Sequence, residues 1–270
     1  MIEKISNAVG GYFKPYQIRR LAKAEAEADR IKAESQIEIT DLHRRALTRF
    51  ICEEAKRQDN IENITEKSIP LLSKSSTPQD MEDDWITNFF DKCRIVSDED
   101  MQTLWARVLA GEANSPGKYS KHTVNLLGSL DKADAQLFTN LCGFSWHVTT
   151  TSCPLIYDEH HIIYNKLGIN FSTLTHLDDI GLISFNSIAG FRLTKLPQRI
   201  LTSYYDIPMQ IEFKKPDDND LATGKVIFSN TGGQLSSICG SKPIDGFYDY
   251  VIETWVKNGL ILSSPIHYKK

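Results

Sequence analysis

The sequence predicts a mainly helical protein with a C-terminal α+β part: a long N-terminal helix, a helical domain, and a winged-helix-like module. Three observations carry this order. An apolar stripe recurs every eleven residues at Ala28, Ile39, Phe50 and Ile61, shadowed by Ile31, Leu42 and Ile64. Two tryptophan-bearing segments between residues 77 and 147 keep helical spacing. Alternation with period two, the mark of half-buried strands, appears only from Ile183 onward.

The stripe defines the first element. Eleven residues make three helical turns at about 3.67 residues per turn, so the apolar positions stay on one face without left-handed supercoiling. Neither Pro nor Gly interrupts residues 16–69, which are rich in Ala, Glu, Lys, Arg and Gln. A single helix over this range is on the order of 80 Å long. A rod of that length needs a partner for its apolar face, either another copy of itself or a groove elsewhere in the chain. The expected seam is Ala28, Ile31, Ile39, Leu42, Ala46, Phe50 and Ile61.

Ahead of the rod, residues 1–15 form a short amphipathic segment with Ile2, Ile5 and Val9 on one face, ended by Gly10-Gly11. Residues 1–24 hold Lys4, Lys14, Arg19, Arg20 and Lys23 against Glu3 alone. With Tyr12 and Phe13 added, this segment has the composition of one that lies on an anionic membrane surface. It equally fits a short helix docking on the protein's own core or on a partner.

After the rod, Pro70 and Ser73-Lys74-Ser75-Ser76 make a linker, and Thr77-Pro78 reads as a helix start. The helical domain spans 77–147. Trp85, Phe89 and Cys93 recur at four-residue steps, and Ser97 with Asp100 resembles a capping box. Met101, Leu104, Trp105, Val108 and Leu109 then follow the pattern of a core-facing helix, with Gly111 just past its end. Further helices are expected near 120–130 and 133–146.

The α+β domain spans 148–270. Val148 to Ser152 is β-branched or small, helices are expected near 158–166 and 171–180, and Gly181 closes the second. Strands are expected at Ile183–Phe185, Phe191–Leu193, Tyr205–Phe213 and Val226–Phe228, with Pro208 marking an edge strand. Lys214 to Thr223 reads as a charged turn, and the last helix covers 244–257.

Composition sets limits on function. A net charge of −4 leaves no global footprint for nucleic acid. The five cysteines, Cys52, Cys93, Cys142, Cys153 and Cys239, never form a C-x-x-C pair, the usage of reduced thiols in a cytosol rather than of a zinc site or a disulfide framework. The apolar runs fall short of the ~18–20 residues that span a bilayer. The first residues lack the apolar core of a secretory signal. A cytoplasmic location, at most peripheral at the inner face of the membrane, is the expectation.

Several residues invite chemistry. Asp83, Asp84 and Glu112 could form a carboxylate cluster, although acids in a first helical turn also complement the helix dipole. Asp158, Glu159, His160 and His161 are dense but adjacent, so the two histidines point to different sides. Cys153 has no base in neighbouring sequence. Gly232-Gly233 is followed by Gln234-Leu235 in place of the Lys-Ser/Thr of a P-loop. The helix at 171–180 carries two aspartates and no Lys or Arg, which argues against DNA contact there. The expectation is therefore no catalytic residues, no metal and no cofactor, while an active site assembled only in space stays open.

Two stretches carry a family likeness. Asp83-Asp84-Trp85-Ile86, Phe89-Phe90-Asp91-Lys92 and Ser97-Asp98-Glu99 lead through Met101-Gln102 and Leu104-Trp105-Ala106 to Leu109-Ala110-Gly111-Glu112, Ser115-Pro116-Gly117 and Ser129-Leu130-Asp131. Gly11, Phe13-Lys14-Pro15-Tyr16-Gln17-Ile18-Arg19-Arg20, Ala24 to Ala28, and His176-Leu177-Asp178-Asp179-Ile180-Gly181-Leu182-Ile183 extend it. Together they resemble the bacterial domain-of-unknown-function family 2806. The likeness implies a bacterial cytosolic protein and brings no activity. The Leu-Trp-Ala-x-x-Leu-Ala element is also similar to one in abortive-infection-type proteins, an association with phage defence only.

The functional expectation is a non-enzymatic, homo-oligomeric scaffold that binds a further protein. A membrane-surface effector acting through Ile2, Ile5, Val9, Tyr12, Phe13, Lys14, Arg19 and Arg20 is the second reading. A DNA-binding regulator is the third.

Overall fold

Residues 41–68 are rich in good helix formers and free of Gly and Pro, and they form one continuous helix, α1 (Asp41–Ser68). The computed structural model describes residues 26–27, which are helical, and 40–264. Ala28, Ile31 and Ile39, and every residue of the basic N-terminal segment, lie outside the described residues. At 28 residues α1 is about 42 Å long. A 3₁₀ turn (Ile69–Leu71) ends it at Pro70.

The chain divides into two compact units, the first ending at Val124 and the second beginning at Asn125. In the first, α1 packs along α3 (Glu99–Asn114), and α2 (Asp83–Cys93) completes the core. Trp85 stacks on Phe89 with ring centres 5.1 Å apart, and Phe89 meets Trp105 edge-on at 5.1 Å. The start of α2 departs from expectation: Thr77-Pro78 opens only a 3₁₀ turn (Pro78–Asp80), and α2 begins at Asp83. The cap of α3 is Asp98 in place of Ser97, its carboxylate accepting from the Asp100 and Met101 amides. Ser97 is used elsewhere, as an acceptor for the Asn60 amide. Gly111 lies inside α3 and not past its end; glycine is needed there because a Cβ would sit 2.6 Å from the Tyr119 ring. α4 (Lys121–Leu127) follows.

The second unit opens with α5 (Lys132–Cys142), fixed by an Asp131–Asp134 capping box. This helix stops at Cys142, short of the expected 146, because Ser145–Val148 is taken into strand β1, paired with β2 (Thr151–Pro154). The helix expected at 158–166 shrinks to the single turn α6 (Ile162–Asn165), since His161 supplies its cap. Then come α7 (Phe171–Asp179) and β3 (Ile183–Phe185), which pairs antiparallel with β8 (Val226–Phe228). Between β3 and β8 the chain adds two nested antiparallel pairs, β4 (Phe191–Leu196) against β7 (Asn219–Gly224), and β5 (Arg199–Tyr204) against β6 (Ile207–Glu212).

Two of these strands depart from the sequence pattern. β7 occupies half of the expected charged turn, its polar composition masking the inward Leu221. β5 was not expected. Tyr205 sits at φ +50 in the turn between β5 and β6 and so does not start the strand. The main sheet runs β2-β1-β5-β6-β9, with the short β9 (Ile261–Ser263) on the edge, so β6 is interior at Gln210–Glu212 while Pro208 lies beyond the reach of β9. Pro208 is tolerated because β9 pairs only with Gln210 to Glu212 and needs no amide from it.

Two helices finish the unit. α8 (Asn230–Ser236) starts at Ser229, whose hydroxyl accepts from the Gly232 amide at 3.0 Å. α9 (Phe247–Lys257) begins three residues later than expected, after Gly246 at φ +74. Under the sheet, Trp146, Tyr204, Phe247 and Trp255 form an aromatic core.

Candidate functional site

The stripe on α1 has two halves with opposite fates. Leu42 and Ile64 are separated by two eleven-residue periods, Ala46 precedes Arg57 and Ser68 by one and two, and Phe50 precedes Ile61 by one. All lie along one face. In the C-terminal half this face is covered by the body: Asn60, Ile64 and Ser68 are buried and Ile61 is half-buried. A polar clamp fixes it there. The Asn60 side-chain amide donates to the Arg94 carbonyl at 2.9 Å, and Gln102 donates to Asn60 Oδ1 at 3.3 Å and to the Val96 carbonyl at 3.0 Å. Lys67 Nζ closes the set by donating to Gln102 Oε1 at 3.0 Å.

In the N-terminal half the same face is bare. Leu42 is 64% exposed and Phe50 47%, against 0% for Ile64; Ile51, 58% exposed, lies on the opposite side of the helix. Ala46 is exposed as well, and Leu47 flanks it at 45%. Of the expected seam, the structure therefore places Leu42, Ala46 and Phe50 on one exposed face and Ile61 at the margin of the docked region. Leu47 and Ile51 are exposed beyond this face; the eleven-residue pattern does not contain them, but their apolarity on a charged helix was the available signal. Charged neighbours on this half pair along the helix, Arg44 with Asp41 at 2.6 Å and Arg49 with Glu53 at 3.5 Å. Such exposed pairs contribute little stability.

The tryptophan motif builds a different feature. Trp85 Nε1 donates to the Tyr119 carbonyl at 2.7 Å, and the buried Glu112 accepts from the Gly117 and Tyr119 amides at 2.6 and 2.8 Å. Beside them is a pocket of about 290 Å³ lined by Glu82, Trp85, Glu112, Tyr119 and Lys121. Each Glu112 oxygen is engaged by a backbone amide, so this carboxylate locks the 115–119 loop against α3. Asp83 and Asp84 sit in the first turn of α2, with Asp84 facing Lys121 at 3.4 Å.

A family profile described as "Protein of unknown function (DUF2806)" matches residues 44–252. The chain belongs to the DUF2806 family. No curated protein and no solved structure matches it. The matched stretch spans the positions of the Trp85–Glu112–Tyr119 lock, the docked half of α1 and Phe50 on its bare half.

The remaining polar groups in this DUF2806 chain diverge. Asp158 accepts from the His160 amide, His161 caps α6 and lies 4.6 Å from the Tyr250 ring, and Glu159 pairs with Lys225. Among the described residues no group of three His, Cys, Asp or Glu side chains could hold a metal. Burial pushes the Cys153 thiol up to about 11, away from nucleophilic use. Gly232 is required by packing: a Cβ there would lie 1.8 Å from the Leu182 carbonyl oxygen. On α7, His176 pairs with Asp134 at 2.6 Å. Among the described residues no helix is long and apolar enough to cross a membrane.

Proposed function

We propose that this protein is a non-enzymatic scaffold that assembles with copies of itself through the bare half of α1. The observation that carries the reading is that one stripe is covered at Asn60, Ile64 and Ser68 and uncovered at Leu42, Ala46 and Phe50. Burying Leu42 and Phe50 stabilises an assembly by about 1.5–3 kcal/mol per side chain before ordering costs. A helical half of little more than a dozen residues, without cover, is marginal in water, so the same contacts also hold the helix itself.

Charge favours a second copy as the occupant. Upstream of α1 the chain carries Glu25, Glu27, Asp29, Glu34 and Glu38 against Arg30 and Lys32, while the first turns of α1 carry Arg44, Arg45 and Arg49. A second copy offers that acidic stretch to these arginines, and the apolar period of the sequence runs through both stretches.

The full chain with Leu42→Asp and Phe50→Asp tests this on a sizing column with light scattering. A multiple of 30.6 kDa for the parent and 30.6 kDa for the double variant are expected. An unchanged mass rejects the seam. The DNA-binding reading gains no support from α7, whose exposed positions are Phe171, Ser172, His176 and Asp179.

A further inference from the structure

The pocket of about 290 Å³ beside Trp85 carries a one-sided charge. Three carboxylates line it, Asp80, Glu82 and Glu112, and among the described residues none of the three is in an ion pair. The lining cation is Lys121, whose Nζ lies 3.4 Å from Asp84, a residue outside the lining. Helix capping does not account for the acid nearest α2, since Glu82 stands at its N-cap and makes no side-chain cap bond.

Glu112 decides what the pocket wants. It is 2% exposed, and its two oxygens accept from the Gly117 and Tyr119 amides. Those neutral donors fix where the carboxylate sits without cancelling its charge. A buried charged group is normally matched by an opposite charge, because desolvation is costly otherwise. The described residues of the chain place no cation within ion-pair distance of Glu112. The missing positive charge has a place to enter, the pocket that Glu112 lines.

We propose that this pocket binds an alkylguanidinium group, the head of an arginine side chain or of a free alkylguanidine. Its volume is at the small end for ligand sites and suits a group the size of one side chain. Trp85 and Tyr119 give it aromatic walls, and the Tyr119 ring already attracts a cation, with Lys118 Nζ 5.3 Å from its centre. A guanidinium is planar, stacks on aromatic rings and is less strongly hydrated than an ammonium, and its several N–H donors reach separate carboxylates. A metal ion fits less well, since among the described residues no group of three His, Cys, Asp or Glu side chains could hold one. The site shares no residue with the bare half of α1, so it stands or falls independently of the assembly.

The test titrates the isotope-labelled full chain with n-butylguanidinium chloride at constant ionic strength and follows the Trp85 indole N–H by NMR, the group that donates to the Tyr119 carbonyl. A saturable shift is expected, and N-butylurea, an uncharged counterpart of similar shape, should give none. Asp80→Asn and Glu82→Gln, at exposed positions, should each weaken binding about threefold, and Lys121→Gln, which removes the competing cation, should tighten it by about as much. Glu112→Gln should weaken it at least about tenfold. Because that change also loosens the loop, the three surface variants keep the proposal testable if it fails to fold. Acetyl-arginine methylamide and agmatine then separate the sources: the first binds if the pocket takes a side chain within a peptide, the second alone if it takes a free guanidine. No saturable shift, an equal shift with N-butylurea, or weaker binding by the Lys121→Gln chain overturns the proposal.

Discussion

The two halves of α1 share one sequence pattern and differ in what covers it. From Asn60 to Ser68 the stripe meets α3 and is held by the Asn60–Gln102–Lys67 clamp. From Leu42 to Phe50 the same face meets nothing within the described residues of the chain. The docked half buries Ile64 and holds it with polar neighbours, Asn60 and Ser68, that reach hydrogen-bond partners. The bare half places Leu42 and Phe50 where only another apolar surface can cover them. Periodicity therefore reports that a face is to be buried, while buried polar residues along it mark where it docks internally.

The comparison breaks most visibly at Ile64. Ile64→Ala removes a fully buried side chain and should cost about 2–5 kcal/mol, seen as a lower urea midpoint at constant slope. Asn60→Ala removes the donor to the Arg94 carbonyl and the acceptor of Gln102, with an expected loss of about 1–3 kcal/mol by the same measurement. Phe50→Asp should move monomer stability by no more than about 0.5 kcal/mol, since its site is exposed. Its effect falls on assembly instead: thermal midpoints should rise with protein concentration in the parent chain and be independent of it in the variant. A large monomer destabilisation by Phe50→Asp would mean that the two halves do not differ as described.

Much of the fold was legible because it rests on local pattern. The α1 stripe, the four-residue steps of Trp85, Phe89 and Cys93, and the Gly181 helix end are all short-range signals. What escaped depends on distant partners. β7 looked like a turn because Asp217, Asp218 and Asp220 crowd its start, yet pairing with β4 makes it a strand. Pro208 made all of β6 look like an edge because the short β9, which pairs at Gln210–Glu212 and arrives some fifty residues later, cannot be foreseen. The polar clamp on Asn60 joins positions 42 residues apart, which no spacing announces. The Trp85–Glu112–Tyr119 lock was visible as a motif but not as a lock, because its acceptors and donors are backbone groups.

Amide hydrogen exchange along α1 in the full chain tests the central claim most directly. At a concentration where the parent assembles, amides of residues 45–51 should be protected nearly as well as those of 60–68. Phe50→Asp should abolish the first protection and leave the second. Fast exchange at 45–51 in the parent at every concentration, or protection there that survives the variant, contradicts a seam between copies.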